Sequence, residues 1–380
     1  MFKSYKKFVI YSLLIPLPFI LFLGVLLYVY DPLQLYHEPW FRKKTYHDDM
    51  RIQAKGIIDH NDFDSVILGT SMLENTSAKE ASHKLGERFV NLSISGSTFQ
   101  ERAVILKYIL KHKQIKNVIY SLDSFTLVNG DNNKTNLKQF DFLYNKNIYD
   151  DFKIYLNKKN IKCFLVFSRK EKCIGKSDEL ENLTSWINQE DNKKLFGGFE
   201  KWIKSPYFKK EVADNIYSKT IKKSFDLNFK INNLDYINKN LINIVESNSH
   251  TAFYFIIPTY SRLFYGMNKY DIYFKSNPKE HFLKYKFYLT YLIRYFSKYP
   301  NVKIYGFDNL DYADNLSNYK DPVHYNMDMN SIQLDAIKNQ TNILTPENMD
   351  EYFKIMEEKI KNYDLNPLIE QIKASGILDK

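Results

Sequence analysis

The chain has 380 residues, 44% of them hydrophobic, enough for one large domain or two small ones with a sizeable core, which excludes a disordered polymer. Its net charge of +10 is carried by lysines interleaved with acids, not by one basic block. That pattern argues against nucleic-acid binding and for a solvated surface tolerant of anionic lipid or anionic glycan.

From Phe8 to Tyr30 no residue is charged, and at about 1.5 Å per residue the run is long enough to cross a hydrocarbon core of roughly 30 Å as one helix. Lys3, Lys6 and Lys7 precede it. The positive-inside rule therefore predicts a cytoplasmic N-terminus, a single pass through the inner or cytoplasmic membrane, and a bulk facing the periplasm or the exterior. The run ends in Leu27, Tyr28, Val29 and Tyr30, without the small residues of a peptidase site, which argues for an uncleaved anchor. Residues 1–30 are read as stub and anchor. Residues 31–60, with Pro32, Pro39 and Trp40, are a juxtamembrane segment whose aromatics suit a membrane interface.

The main α/β domain is expected over 61–345. Ser65 to Leu68 reads as a buried strand ending in the turn at Gly69, and Ser77 with Glu80 as a capping box. Phe89 to Leu92 is a second strand leading to Ser95, Gly96 and Ser97. The helix Thr98 to His112 follows, with Phe99, Ala103, Leu106 and Leu110 on one face, then a third strand at Asn117 to Leu122. Strands alternating with amphipathic helices predict βαβ units and a parallel sheet covered on both faces. From about 126 to 234 the chain turns polar, Asn- and Lys-rich and helical, with a break at Gly197 and Gly198, and reads as an insertion. Within it lie the only two cysteines, Cys163 and Cys173. In an oxidising compartment their spacing fits a local disulfide, and it also fits two unpaired buried thiols. The sheet pattern resumes with a helix from Tyr236 to Glu246, a strand from Thr251 to Ile257, a helix from His281 to Tyr299 and a strand from Val302 to Phe307. Five strands make a three-layer, flavodoxin-like α/β sheet. Residues 346–380 form a helical tail.

In an open parallel sheet the reactive residues belong at the carboxyl ends of the strands. Ser71 sits on a turn into a helix, where a nucleophilic hydroxyl is exposed beside backbone N–H groups. His324 is its candidate base and Asp321, three residues earlier, the acid that orients the imidazole. Gly96 offers a second oxyanion donor beside that of Ser71. Thr70, Asp123, Tyr260 and Ser261 follow strand ends and are candidate pocket residues. The histidines and cysteines have no metal-ligand spacing and no glycine-rich phosphate loop appears, so no metal and no cofactor is expected.

Leu68, Gly69, Thr70 and Ser71 resemble the first block of the SGNH (GDSL-type) hydrolases. Asn91 to Ser97 resembles their glycine block, and Asp321, Pro322, Val323 and His324 their late Asp-x-x-His block. The likeness spans roughly 64–125 and 250–340. The anchor, together with Tyr319 and Tyr325 around the last block, is similar to the membrane-tethered, DltD-like branch that acts in envelope acyl transfer. The resemblance implies Ser71 as nucleophile, His324 as base, Asp321 as its orienting acid, and the Ser71 and Gly96 backbones as oxyanion hole. It implies O-acyl transfer or ester hydrolysis, most simply of acetyl, on a cell-envelope glycan or polymer, with the acyl donor supplied by a membrane-bound acyl-exporting partner. One block departs: where the family has Gly-x-Asn-Asp, this chain has Ser121, Leu122, Asp123 and Ser124. An ionised Asp123 cannot donate to an oxyanion, so it is protonated, orients another group, caps the next helix, or leaves a hole of two donors. That departure keeps a second reading open, an inactive SGNH-like scaffold binding an envelope polymer or a partner membrane protein.

Overall fold

All four residues of Ser65–Leu68 are buried, as expected of a short apolar run in a sheet covered on both faces. In the computed structural model, which describes residues 2–130, 137–206, 208, 210–217, 234–266 and 278–379, this run is strand β1 of a six-stranded sheet. The others are β2 (Phe89–Asn91), β3 (Asn117–Ser121), β4 (Ala252–Ile256), β5 (Val302–Tyr305) and β6 (Ile343–Leu344), ordered β2-β1-β3-β4-β5-β6. Strands β1 to β5 are parallel. Strand β6 runs antiparallel to β5, pairing Leu344 with Ile304 and Ile343 with Tyr305. The molecule is thus a mixed α/β protein with a mostly parallel sheet. The sixth strand was not expected: two residues carry no periodicity, and only the edge of β5 makes them a strand.

The chain divides into two compact units, Phe63–Thr135 with Thr184–Lys380, and Met1–Asp62 with Asn136–Leu183. The first holds the sheet. Its helix Phe99–His112 starts in a full capping box, Thr98 accepting from the Glu101 N–H while the Glu101 carboxylate accepts from Thr98. The box expected at Ser77 is one-sided, because the Glu80 carboxylate accepts from Ser331 and pairs with Lys84 instead. The helix Phe99–His112 also buries more than one face: Arg102, Ile105, Tyr108 and Ile109 are buried beside Phe99, Ala103 and Leu106. The expected helix at 236–246 is present with a π-helical turn, Asn238–Ile242, at its middle. The tail resolves into two helices, Met349–Asn362 and Asn366–Ser375.

The stretch from 126 to 234, read as one insertion, contributes to both units, and 131–136, 207, 209 and 218–233 of it lie outside the described residues. In the N-terminal unit, Tyr5–Tyr30 is a 26-residue stretch long and apolar enough to cross a membrane, the one such segment among the described residues. Asp31 ends it. The buried Asp31 carboxylate accepts from the N–H groups of Leu35, Tyr36 and His37 and from the Tyr155 hydroxyl, which ties the helix exit to the unit. Cys163 and Cys173 are joined as a disulfide, one of the two alternatives their spacing allowed.

Candidate active site

Because β1, β3 and β4 run parallel, the turns after them meet at one edge of the sheet. Gly69 ends β1 in a turn so tight that a Cβ there would sit 2.8 Å from the side chain of Leu73. The loop after β2 is held to it, Ile94 N–H donating to Gly69 O at 2.9 Å and Ser97 Oγ at 3.4 Å. That loop turns at Gly96, whose φ of +60° favours a residue without Cβ. The N–H groups of Ser71 and Gly96 donate to no acceptor among the described residues.

The third piece is a small hairpin. Tyr319 and Tyr325 pair across it as an antiparallel bridge, and Lys320 N–H donates to His324 O at 3.1 Å. Both tyrosines are buried and anchor it at two places: Tyr319 Oη donates to Thr259 O after β4 at 2.9 Å, and Tyr325 Oη to Met72 O beside Ser71, also at 2.9 Å. Ser261 adds a third tie, its Oγ donating to Pro322 O at 2.7 Å.

Residues 253 positions apart thereby touch. Ser71 Oγ lies 2.8 Å from His324 Nε2, and His324 Nδ1 lies 2.8 Å and 3.0 Å from the two carboxylate oxygens of Asp321. Asp321 also accepts from the N–H groups of Val323 and His324, which fixes its rotamer. A carboxylate facing Nδ1 requires a proton there, so Nε2 is left as the acceptor for the serine hydroxyl. Burial pushes the Asp321 carboxyl up, but the charge and hydrogen bonds of His324, with Lys320 nearby, outweigh it and hold the acid well below the usual carboxylate range. Asp321 is ionised at neutral pH.

The other candidates stand beneath the surface. Thr70, Asp123, Tyr260 and Ser261 are all buried. Thr70 Oγ1 donates to Asp123 Oδ1 at 2.5 Å and Ser121 Oγ to Asp123 Oδ2 at 2.7 Å, while Arg102, itself fully buried, pairs with Oδ2 at 3.0 Å. Among the alternatives open for Asp123, the structure has it orienting other groups. It makes no side-chain cap to the following helix, Ser124–Asn129. Arg102 in turn donates to Ser121 O and stacks its guanidinium 4.4 Å from the Tyr120 ring centre. Tyr260 Oη accepts from Ser124 N–H, so its polar end is spent on the backbone.

Sequence reasoning missed Trp186 and Lys320. Trp186 Nε1 donates to Ser71 O at 2.8 Å, and its ring meets the His324 ring edge to face at 5.4 Å. Lys320 Nζ lies 4.0 Å over the Trp186 ring and 3.3 Å from Asn192 Oδ1. Burial lowers the Lys320 pKa against the opposing charges of Asp321 and Glu74. A tryptophan within an Asn- and Lys-rich stretch has no periodic signal, and only the fold reveals that Ser185 and Ile187 beside it are pinned to Asn75, four residues after Ser71.

No protein-family model matches this chain, and no curated protein matches it.

Proposed function

We propose that the chain is a membrane-anchored serine acyl-ester enzyme of the SGNH hydrolase-like, DltD-like kind, with its catalytic unit outside the cytoplasm. The single observation that carries this reading is the unbroken relay from Ser71 Oγ through the His324 imidazole to the Asp321 carboxylate, each link at 2.8 Å. The strand order, in which β2-β1-β3-β4-β5 is the flavodoxin-like sequence, supports the fold assignment. The apolar N-terminal helix supports the tether.

On this reading His324 Nε2 takes the Ser71 proton as Oγ attacks the acyl carbonyl. The tetrahedral oxyanion is received by the N–H groups of Ser71 and Gly96. His324, now imidazolium and stabilised by Asp321, returns the proton to the leaving oxygen. In the second half-reaction a glycan or polymer hydroxyl, or water, loses its proton to His324 and takes the acyl group from Ser71, whose departing Oγ receives that proton from His324. Acetyl is the acyl group to test first, and an acyl-exporting membrane partner the source of the donor. The chain's own residues supply every acid and base, with no cofactor or metal in the scheme.

The carboxylate of Asp123, committed to Arg102, leaves the hole with two backbone donors. Loss of one donor costs on the order of 10² to 10³ in rate in other acyl-transfer enzymes, so this site suits an activated acyl donor. The same feature favours the second reading, an inert scaffold. A fluorophosphonate probe separates them: labelling of the wild type and none of Ser71→Ala supports the enzyme, whereas an unlabelled wild type of intact fold supports the scaffold.

A further inference from the structure

The helix Lys158–Leu165 follows the membrane-helix candidate by more than a hundred residues, yet packs against it within the same compact unit. The contact is specific: Tyr30 stacks edge to face on Phe167 at 5.5 Å and donates from Oη to Ser168 O at 2.6 Å, while Leu27 and Tyr30 become buried. The helix turns Cys163 and Phe164 inward and carries the disulfide that holds it. Its opposite side carries Ile161 and Leu165 among lysines, and Val166 and Phe167 follow its last turn. Ile161, Leu165, Val166 and Phe167 are exposed, Val166 by 73%, and Trp40 and Phe41 of the juxtamembrane segment are exposed by 55% and 66%. The exposed Lys162 and Lys170 flank them. A short helix with apolar residues on two sides has two partners, and the unit accounts for one of them.

We propose that the turn Leu165, Val166 and Phe167, with Trp40 and Phe41, is a second membrane contact that lies in the headgroup–acyl boundary of the leaflet from which the anchor emerges. The occupant is phospholipid. The inference rests on the reading of Tyr5–Tyr30 as membrane-spanning. Continuity with that helix is the reason: at 1.5 Å per residue its 26 residues span about 39 Å, against a hydrocarbon core of roughly 30 Å, so its end turns stand in the interfacial layers. A segment packed on Leu27 and Tyr30 stands at the same depth. There, aromatic and aliphatic side chains flanked by lysines are the composition of an interfacial, monotopic element. The contact would fix the rotation of this unit about its anchor.

The test uses the full-length chain in phosphatidylethanolamine–phosphatidylglycerol vesicles and in the membranes of the expressing cell. A photoreactive benzophenone amino acid replaces Val166, Leu21 in the anchor, or Asp48 on the polar surface of the same unit. Lipid adducts by mass spectrometry are expected at positions 21 and 166, and none at 48. Lipid adducts at 21 but not at 166 overturn the second contact and leave the anchor standing. A protein adduct at 166 in cell membranes, with no lipid adduct in vesicles, assigns the surface to a membrane-protein partner and likewise overturns the proposal. Lipid adducts at neither position remove the anchor reading and the proposal with it.

Discussion

Asp123 and Asp321 are both carboxylates near one serine, and their partners give them opposite duties. Asp321 is open enough to face an imidazole, while Asp123 is locked to a guanidinium with no solvent on either partner. Removing one member of a buried pair leaves an uncompensated charge, at about 3–5 kcal/mol. Asp123→Asn is therefore expected to lose that much stability in thermal or urea denaturation, and to gain no activity although it supplies the amide found in the block this stretch resembles. A third acid behaves differently again. Asp308 is fully buried near Arg262, and burial pushes its carboxyl up to about 8 despite the guanidinium and the Tyr260 amide. A raised carboxyl pKa means the fold binds a proton that the unfolded chain has released, so its contribution is complete below about pH 4 and is lost as pH rises towards 8. Over that window the wild type is expected to lose stability at up to about 1.4 kcal/mol per pH unit from this group, and Asp308→Asn to remove the slope. Urea denaturation at stepped pH measures it.

Among residues, then, the chain's local signals reached unevenly. Ser71, Asp321 and His324 were legible because each sits in a short block with its own local geometry, a strand-end turn or an Asp-x-x-His turn. The duties of Thr70, Ser261 and Asp123 were not, since a buried hydroxyl or carboxylate is recognised only by the partner that satisfies it, and Arg102 and Pro322 come from other elements.

At the scale of elements, strands β1 to β5 could be read almost residue by residue because a short apolar run between turn residues has few other uses beside amphipathic helices. Strand β6 and the bond between Glu80 and Ser331 escaped because they exist only once distant elements are in place. The segment around Trp186 belongs to the same class. It reaches Ser71 with one hydrogen bond and His324 with one ring edge. Trp186→Phe keeps a ring and deletes the N–H donor, a loss of about 1 kcal/mol. We expect esterase turnover to fall roughly fivefold with the melting temperature nearly unchanged, and Trp186→Ala, which also removes the seat of Lys320, to lose more. Equal turnover of all three proteins would show that the segment is only a neighbour.

For the whole molecule, composition gave a sound account of class and of the long apolar N-terminal helix but not of the partition between units. A polar, Asn-rich stretch looks uniform in sequence, although most of its first half belongs to the unit that holds the apolar N-terminal helix and its second half supplies Trp186. The account's central claim concerns one oxygen atom. Incubating the full-length protein with p-nitrophenyl acetate, quenching in acid and mapping the adduct by mass spectrometry tests it directly. A single acetyl group on the peptide containing Ser71, reduced on the order of 10⁴-fold in its rate of formation by His324→Ala, is the predicted result. A folded wild type that stays unmodified, or one acetylated at the same rate with His324 removed, would contradict it.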